Sequence, residues 1–194
     1  MKKNGSFLVY ILWNIFIILL VVACIFAIVK FVYQPIQIEG SSMEPNMYDG
    51  EKLLINKIGN KLNYERYDII VFKPFTEDDK TTTLIDESEA LYIKRIIGLP
   101  GETVEITYDG KIYVTKTDGT KLVLDDDPAN QDYYYSGIDW ISYDDNMFET
   151  ITLEEDEYFV LGDNRDVSKD SRSSDIKAVN YNCIIGKYLF KIPF

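Results

Sequence analysis

The chain has 194 residues, 46% of them hydrophobic, with 20 Lys and Arg against 32 Asp and Glu. That is length and apolar content for one folded domain, and it excludes a disordered or collagen-like chain. No His is present, which excludes a Ser-His-Asp triad, a Cys-His dyad, an HExxH zinc site and His-ligated haem. The two cysteines, Cys24 and Cys183, are too few for a disulfide framework or an all-cysteine zinc site, and too far apart in sequence for a CxxC redox pair.

In chain order, the first element is Phe7–Val29, FLVYILWNIFIILLVVACIFAIV, 23 residues without a charge. At about 1.5 Å per residue it crosses a hydrocarbon core of about 30 Å, so it predicts a transmembrane helix. Lys2 and Lys3 precede it, and positive charge holds residues 1–6 in the cytoplasm, so residues 30–194 are expected on the far side of the cell membrane. A cleaved signal peptide has an apolar run of about 7–15 residues and then a small-residue cleavage site. Here the run continues into bulky FVYQP, and Cys24 is followed by more apolar residues, so it reads as a small apolar side chain in the bilayer instead of a lipidation site.

Beyond residue 38 the chain carries 17 bases against 32 acids, a net of −15. Nucleic acid is not expected as a partner. Contact with membrane lipid is expected through apolar and aromatic side chains, not a basic patch, since acidic surfaces are repelled by anionic headgroups.

Segments rich in β-branched and aromatic residues recur at Lys52–Ile55, Asp68–Phe72, Leu91–Ile97, Thr103–Thr107, Lys111–Val114, Lys121–Leu124, Glu157–Leu161 and Cys183–Phe190. Asp109-Gly110 and Asp118-Gly119 predict hairpins with positive φ at both turn positions. A mostly β domain follows, with antiparallel, barrel-like sheets. Acidic, tyrosine-rich Asp125–Asn146 reads as a long surface excursion.

Without His, a hydroxyl nucleophile needs a lysine or a carboxylate to activate it. A lysine serves only when neutral, which burial in an apolar setting favours. Lys94, in the strand-forming LYIKRIIG, fits that requirement, with Tyr92 and Ile96 on its face of the strand. Ser42 lies in IEGSSMEP, where Gly40 and Pro45 bracket a turn that presents the serine and its own N–H. Gly162–Arg172, GDNRDVSKDSR, follows the strand YFVL and has the density of Asp, Asn, Ser and Arg that builds charge-assisted networks.

Together these segments resemble the bacterial type I signal peptidases, membrane-anchored Ser/Lys proteases. The resemblance runs the length of the chain: an N-terminal anchor, SSMEP at Ser41, YDIIVF at Tyr67, KRIIGLPGE at Lys94, YFVLGDNRDVSKDSR at Tyr158 and IIGK at Ile184. It implies a serine endopeptidase of that fold, requiring no metal or cofactor, whose partners are the signal peptides of exported preproteins. By position, Ser42 is the implied nucleophile and oxyanion N–H donor, Lys94 the general base, and Ser168 the serine that hydrogen-bonds the lysine. Arg95 with Asp163, and Asp170 with Arg172, match the family's supporting ion pairs. The substrate strand is expected beside Ile36, Gln37, Ile38, Glu39, Gly40 and Ser41 on one side and Leu91, Tyr92 and Ile93 on the other. The chain departs from the family pattern at Gly40, where some members carry a hydroxyl, at Asn46, where Thr is common, and at Tyr67, where Gly is frequent.

Other classes stay open on sequence. Ser174-Asp175-Ile176-Lys177 supplies an SxxK, as in penicillin-binding enzymes, but SDN and KTG partners are missing. A non-catalytic membrane-tethered scaffold on the peptidase fold, and a peptidase dedicated to one secreted substrate, are the two alternatives.

Overall fold

The computed structural model describes residues 4–58, 64–73, 91–107, 111–124, 150–173 and 176–193. The Asp109-Gly110 turn, the Asp125–Asn146 excursion and part of the SxxK segment lie outside the described residues.

Among the described residues one α-helix, α1, runs Asn4–Val32, and its Phe7–Val32 stretch is long and apolar enough to cross a membrane. It starts before and ends after the expected Phe7–Val29. Nothing in the described domain covers the stretch, and Phe7, Trp13 and Phe26 are all more than 60% exposed, so the helix presents apolar side chains all round. Its strongly polar Asn14 amide donates to the Tyr10 carbonyl at 2.7 Å, within the helix itself.

Strand β1 (Tyr33–Gln37) follows α1 without an intervening turn, then β2 (Lys52–Asn56), β3 (Ile69–Phe72), β4 (Tyr92–Gly98), β5 (Thr103–Ile106), β6 (Ile112–Thr115), β7 (Lys121–Val123), β8 (Ile151–Thr152), β9 (Glu157–Leu161), β10 (Val179–Asn180) and β11 (Ile184–Lys191). Seven form one sheet in the order β1-β2-β11-β3-β4-β9-β10 and four a second, β7-β6-β5-β8. Every pairing is antiparallel, for example Ile70 opposite Lys94 and Arg95 opposite Leu161. The domain is mostly β, as the sequence predicts, and each of the eight predicted segments contains a strand. Three strands fall outside those segments: β1, an edge strand interrupted by Pro35, and the two-residue β8 and β10, too short to show alternation.

The β6–β7 hairpin turns at Asp118-Gly119 by a different route from the one expected. Gly119 alone has positive φ, at +84°; its N–H bonds the Lys116 carbonyl at 2.9 Å, and the Lys116 N–H bonds the Thr120 carbonyl at 2.8 Å. This is a longer loop closed by one left-handed glycine, and the Asp118 carboxylate spends its acceptor on the Thr120 N–H instead.

Three apolar clusters form the core. Ile97, Val104, Val114, Phe159 and Leu161 join the two sheets, and Ile70, Phe72, Ile96 and Val160 fill one face of the larger one. Ile36, Ile38, Met43, Leu53, Ile55, Val71 and Ile93 pack the other, beneath the loop that carries Ser42. A partly buried ion pair, Arg66 with Glu102 at 2.7 Å, holds the end of β4: Arg66 also donates to the Ile97 carbonyl, and Glu102 accepts from the Leu99 N–H.

Candidate active site

The β1–β2 ladder continues past Gln37, with Ile38 and Glu51 bonded N–H to carbonyl at 2.9 Å. Gly40 then turns the chain at φ +86°. A Cβ there would meet nothing within 4 Å, so backbone conformation, not space, selects glycine at this departure from the family pattern. Met43 is 1% exposed and anchors the loop in the apolar cluster below. Ser42 is thereby held at the rim of the core, half-buried, and its N–H makes no backbone hydrogen bond among the described residues.

The Gly162–Arg172 segment grips this loop from the other side. Asn164 donates its backbone N–H to the Ser42 carbonyl at 3.0 Å and its side-chain amide to the Ser41 carbonyl at 3.1 Å. Asn46 reaches back to Asp163 Oδ2 at 2.8 Å. Nothing in the sequence marks either asparagine for this role: Asn164 is one residue of the GDNR motif, and Asn46 only a departure from the family pattern.

Lys94 sits in the middle of β4, 3% exposed, with its Nζ 2.8 Å from Ser42 Oγ and 2.9 Å from its neighbour's Ile93 carbonyl. The Nζ also lies 5.6 Å from the Tyr92 ring centroid, as strand alternation predicts. Burial pushes the Lys94 pKa down to about 8; the Arg172 guanidinium adds to this, and the Asp170 and Asp163 carboxylates oppose it. A buried amine that loses its proton this close to neutral pH, hydrogen-bonded to a hydroxyl, can accept the hydroxyl's proton.

The next residue points the other way. Arg95 grips Asp163 through two bonds of 2.7 and 2.6 Å, with both side chains buried, and donates a third to the Tyr67 carbonyl at 3.0 Å. Tyr67 adopts φ +71°, the left-handed conformation for which glycine is the usual choice, and this residue's carbonyl serves Arg95. Asp170 and Arg172 form a second buried pair at 2.7 Å, and Asp170 also accepts from the Gly162 N–H at 2.9 Å. Burial alone would raise the Asp170 carboxyl, but the Arg172 charge and hydrogen bond and the Gly162 N–H hold it below the usual carboxylate range.

Ser168 differs from expectation. Its Oγ is near enough to Asp170 to help keep that group ionised, yet it satisfies hydrogen-bond geometry with no described residue, Lys94 included. The Ile93 carbonyl and Ser42 Oγ take the lysine's hydrogen bonds, and the Ser168 side chain turns toward Gly162, where an added Cβ would lie 2.1 Å from Ser168 Oγ.

Of the residues expected to face substrate, Ile36, Ile38 and Ile93 meet in one apolar cluster, whereas Gln37, Glu39, Gly40, Ser41 and Leu91 are exposed and Tyr92 packs on Phe72 in another cluster. Two strand edges flank the Ser42–Lys94 contact. β1 ends the seven-strand order, and β9 pairs with β4 only from Arg95 onward, leaving one side of Tyr92–Lys94 without a strand partner among the described residues.

Residues 10–192 match the family model described as signal peptidase, peptidase S26. The chain belongs to the S26 signal peptidase family. Its relatives include signal peptidase IB of Staphylococcus aureus (strain Mu50), 33% identical over 174 residues, 88% of this chain and 83% of that one. Signal peptidase I of Bacillus amyloliquefaciens is 34% identical over 181 residues, 91% of this family member and 83% of the relative. A crystal structure of a signal peptidase I from Enterococcus faecalis V583 is 30% identical, covering 64% of this chain and 96% of that one at a TM-score of 0.41.

Proposed function

We propose that this chain is a membrane-anchored serine endopeptidase that removes N-terminal signal peptides from exported preproteins, with Ser42 as nucleophile and Lys94 as general base. The observation that carries the reading is the 2.8 Å contact between Ser42 Oγ and the Nζ of a lysine that is 3% exposed. Family membership supplies the substrate class.

In this mechanism neutral Lys94 takes the Ser42 proton as the hydroxyl oxygen attacks the scissile carbonyl. The Ser42 N–H donates a hydrogen bond to the developing oxyanion. Lys94 then returns the proton to the leaving amine, releasing the mature protein and leaving the signal peptide as an ester on Ser42. Water, deprotonated by Lys94, hydrolyses that ester. Arg95–Asp163 and Asp170–Arg172 hold β4, the Ser42 loop and the Gly162–Arg172 segment in register, and Ser168 contributes to the packing around Gly162. The signal peptide enters as an extended strand between β1 and the unpaired edge at Leu91–Ile93, with Ile36, Ile38 and Ile93 forming the floor that favours small side chains.

Residues 1–6 lie in the cytoplasm, α1 spans the cell membrane, and the β domain stands on the extracytoplasmic side.

The test is mass spectrometry of a secretory preprotein incubated with detergent-purified full-length protein. Wild type should make a single cut after a small residue and Ser42→Ala none. Identical products from wild type and Ser42→Ala would overturn Ser42 as nucleophile, and no cut by folded wild type across several preproteins would favour the scaffold or the dedicated peptidase.

A further inference from the structure

Where α1 meets the domain, a cleft of about 400 Å³ opens between the last helical turns and the first two strands. Phe26, Val29 and Leu54 form apolar wall, Tyr33 stands beside them, and Lys30 and Lys57 supply the charge. No acidic residue lines it. That is unusual in a domain with a net charge of −15 beyond residue 38. Among the described residues neither lysine forms an ion pair or a side-chain hydrogen bond, so both ammonium groups are left without a counter-charge.

The position of the cleft along the chain fixes what it meets. Lys30 lies in the last turn of α1, at the end of the apolar stretch Phe7–Val32. With α1 spanning the bilayer, that turn sits at the boundary of hydrocarbon and headgroups on the domain's side, the depth at which lysine ammonium groups and tyrosine rings settle. An apolar wall toward the membrane and two unpaired cations at headgroup level are complementary to a phospholipid with a net negative headgroup.

We propose that this cleft is a binding site for an anionic phospholipid, its phosphate held by Lys30 and Lys57 and its upper acyl region lying against Phe26, Val29 and Leu54. The proposal rests on the membrane-anchored reading above. It also locates an exception to the repulsion expected between so acidic a domain and anionic lipid. A lipid held here fastens β1, and with it the start of the Ser42 loop, to the membrane surface.

The experiment uses full-length protein reconstituted into phosphatidylcholine vesicles carrying a minority of phosphatidylglycerol, then released into mild detergent for native mass spectrometry of retained lipid. Wild type should retain phosphatidylglycerol in preference to the more abundant phosphatidylcholine. Lys30→Gln with Lys57→Gln should reduce that retention roughly tenfold or more. Lys30→Arg with Lys57→Arg should preserve it, as should the charge-matched control Lys73→Gln with Lys116→Gln. Cleavage of a short soluble peptide by the double glutamine variant reports that it is folded. Equal retention by the double glutamine and wild-type proteins, equal retention of the two lipids, or displacement of lipid by inorganic phosphate would each overturn the proposal. Failure of wild type to float with pure phosphatidylcholine vesicles would instead overturn the membrane-anchored reading.

Discussion

In the proposed mechanism Lys94 is at once costly to the fold and necessary to the chemistry. Below pH about 8 both the folded and unfolded chains hold its proton, and the folded state bears the full cost of a buried ammonium. Between about 8 and the ordinary value of 10.5, only the unfolded chain binds the proton, so wild-type stability rises with pH through that window. Lys94→Met removes the charge at nearly constant volume. We expect it to abolish cleavage and yet raise the unfolding free energy at pH 6–7 by about 1–3 kcal/mol, the lost Ser42 hydrogen bond offsetting part of the gain. That margin should narrow as the pH is raised above 8. Urea unfolding across pH checks both points, and a mutant less stable than wild type at every pH would refute the account. Wild-type activity should climb with pH through a limb near 8 as the amine becomes neutral. The sequence made Lys94 legible because an apolar, strand-forming run surrounds a single amine. It did not make legible that the second hydrogen bond goes to the Ile93 carbonyl and not to Ser168, because that choice depends on side-chain torsions that no pattern of residue types encodes.

At the scale of the element, the Gly162–Arg172 segment acts as a clamp whose tightness is set by one missing Cβ. A methyl group on Gly162 would fall 2.1 Å from Ser168 Oγ and 2.5 Å from the Ser42 carbonyl oxygen. The Ser168 side chain can swing aside, but the carbonyl belongs to the loop that carries Ser42. Gly162→Ala should therefore lower stability by about 1–3 kcal/mol and kcat by roughly a hundredfold or more through displacement of Ser42. Adding Ser168→Gly should restore part of the melting temperature, since it removes the nearer clash, while leaving kcat low, since the backbone clash persists. Full activity in Gly162→Ala would show that the loop yields without moving Ser42. The longer strands were readable from alternation and β-branched content, and GDNRDVSKDSR was readable as a polar network. The two-residue strands and the grip of Asn164 on both Ser41 and Ser42 were not, because they depend on distant segments meeting in space.

For the whole molecule, the decisive feature is the brevity of the path from α1 to Ser42. α1 ends at Val32 and β1 begins at Tyr33, so Ser42 lies ten residues beyond the helix, a reach of at most about 35 Å even if fully extended. Because β1 is hydrogen-bonded to β2 along its whole length, from Tyr33 opposite Asn56 to Gln37 opposite Lys52, the connection is a strand of the sheet and not a loose linker. In the membrane-anchored reading, this holds the Ser42–Lys94 pair at the height where a signal peptide leaves the bilayer, and so raises the effective concentration of the scissile bond. Inserting about ten Gly and Ser residues between Val32 and Tyr33 would let the domain wander over several nanometres. Cleavage of a soluble peptide should be unchanged by the insertion, because Ser42, Lys94 and their sheet are untouched. Cleavage of a preprotein embedded in vesicles should fall by about tenfold or more. If both substrates were cut at wild-type rates, the short connection would have no part in selecting the site of cleavage; if both were cut slowly, the insertion would have disturbed β1 itself, which a lowered melting temperature would reveal.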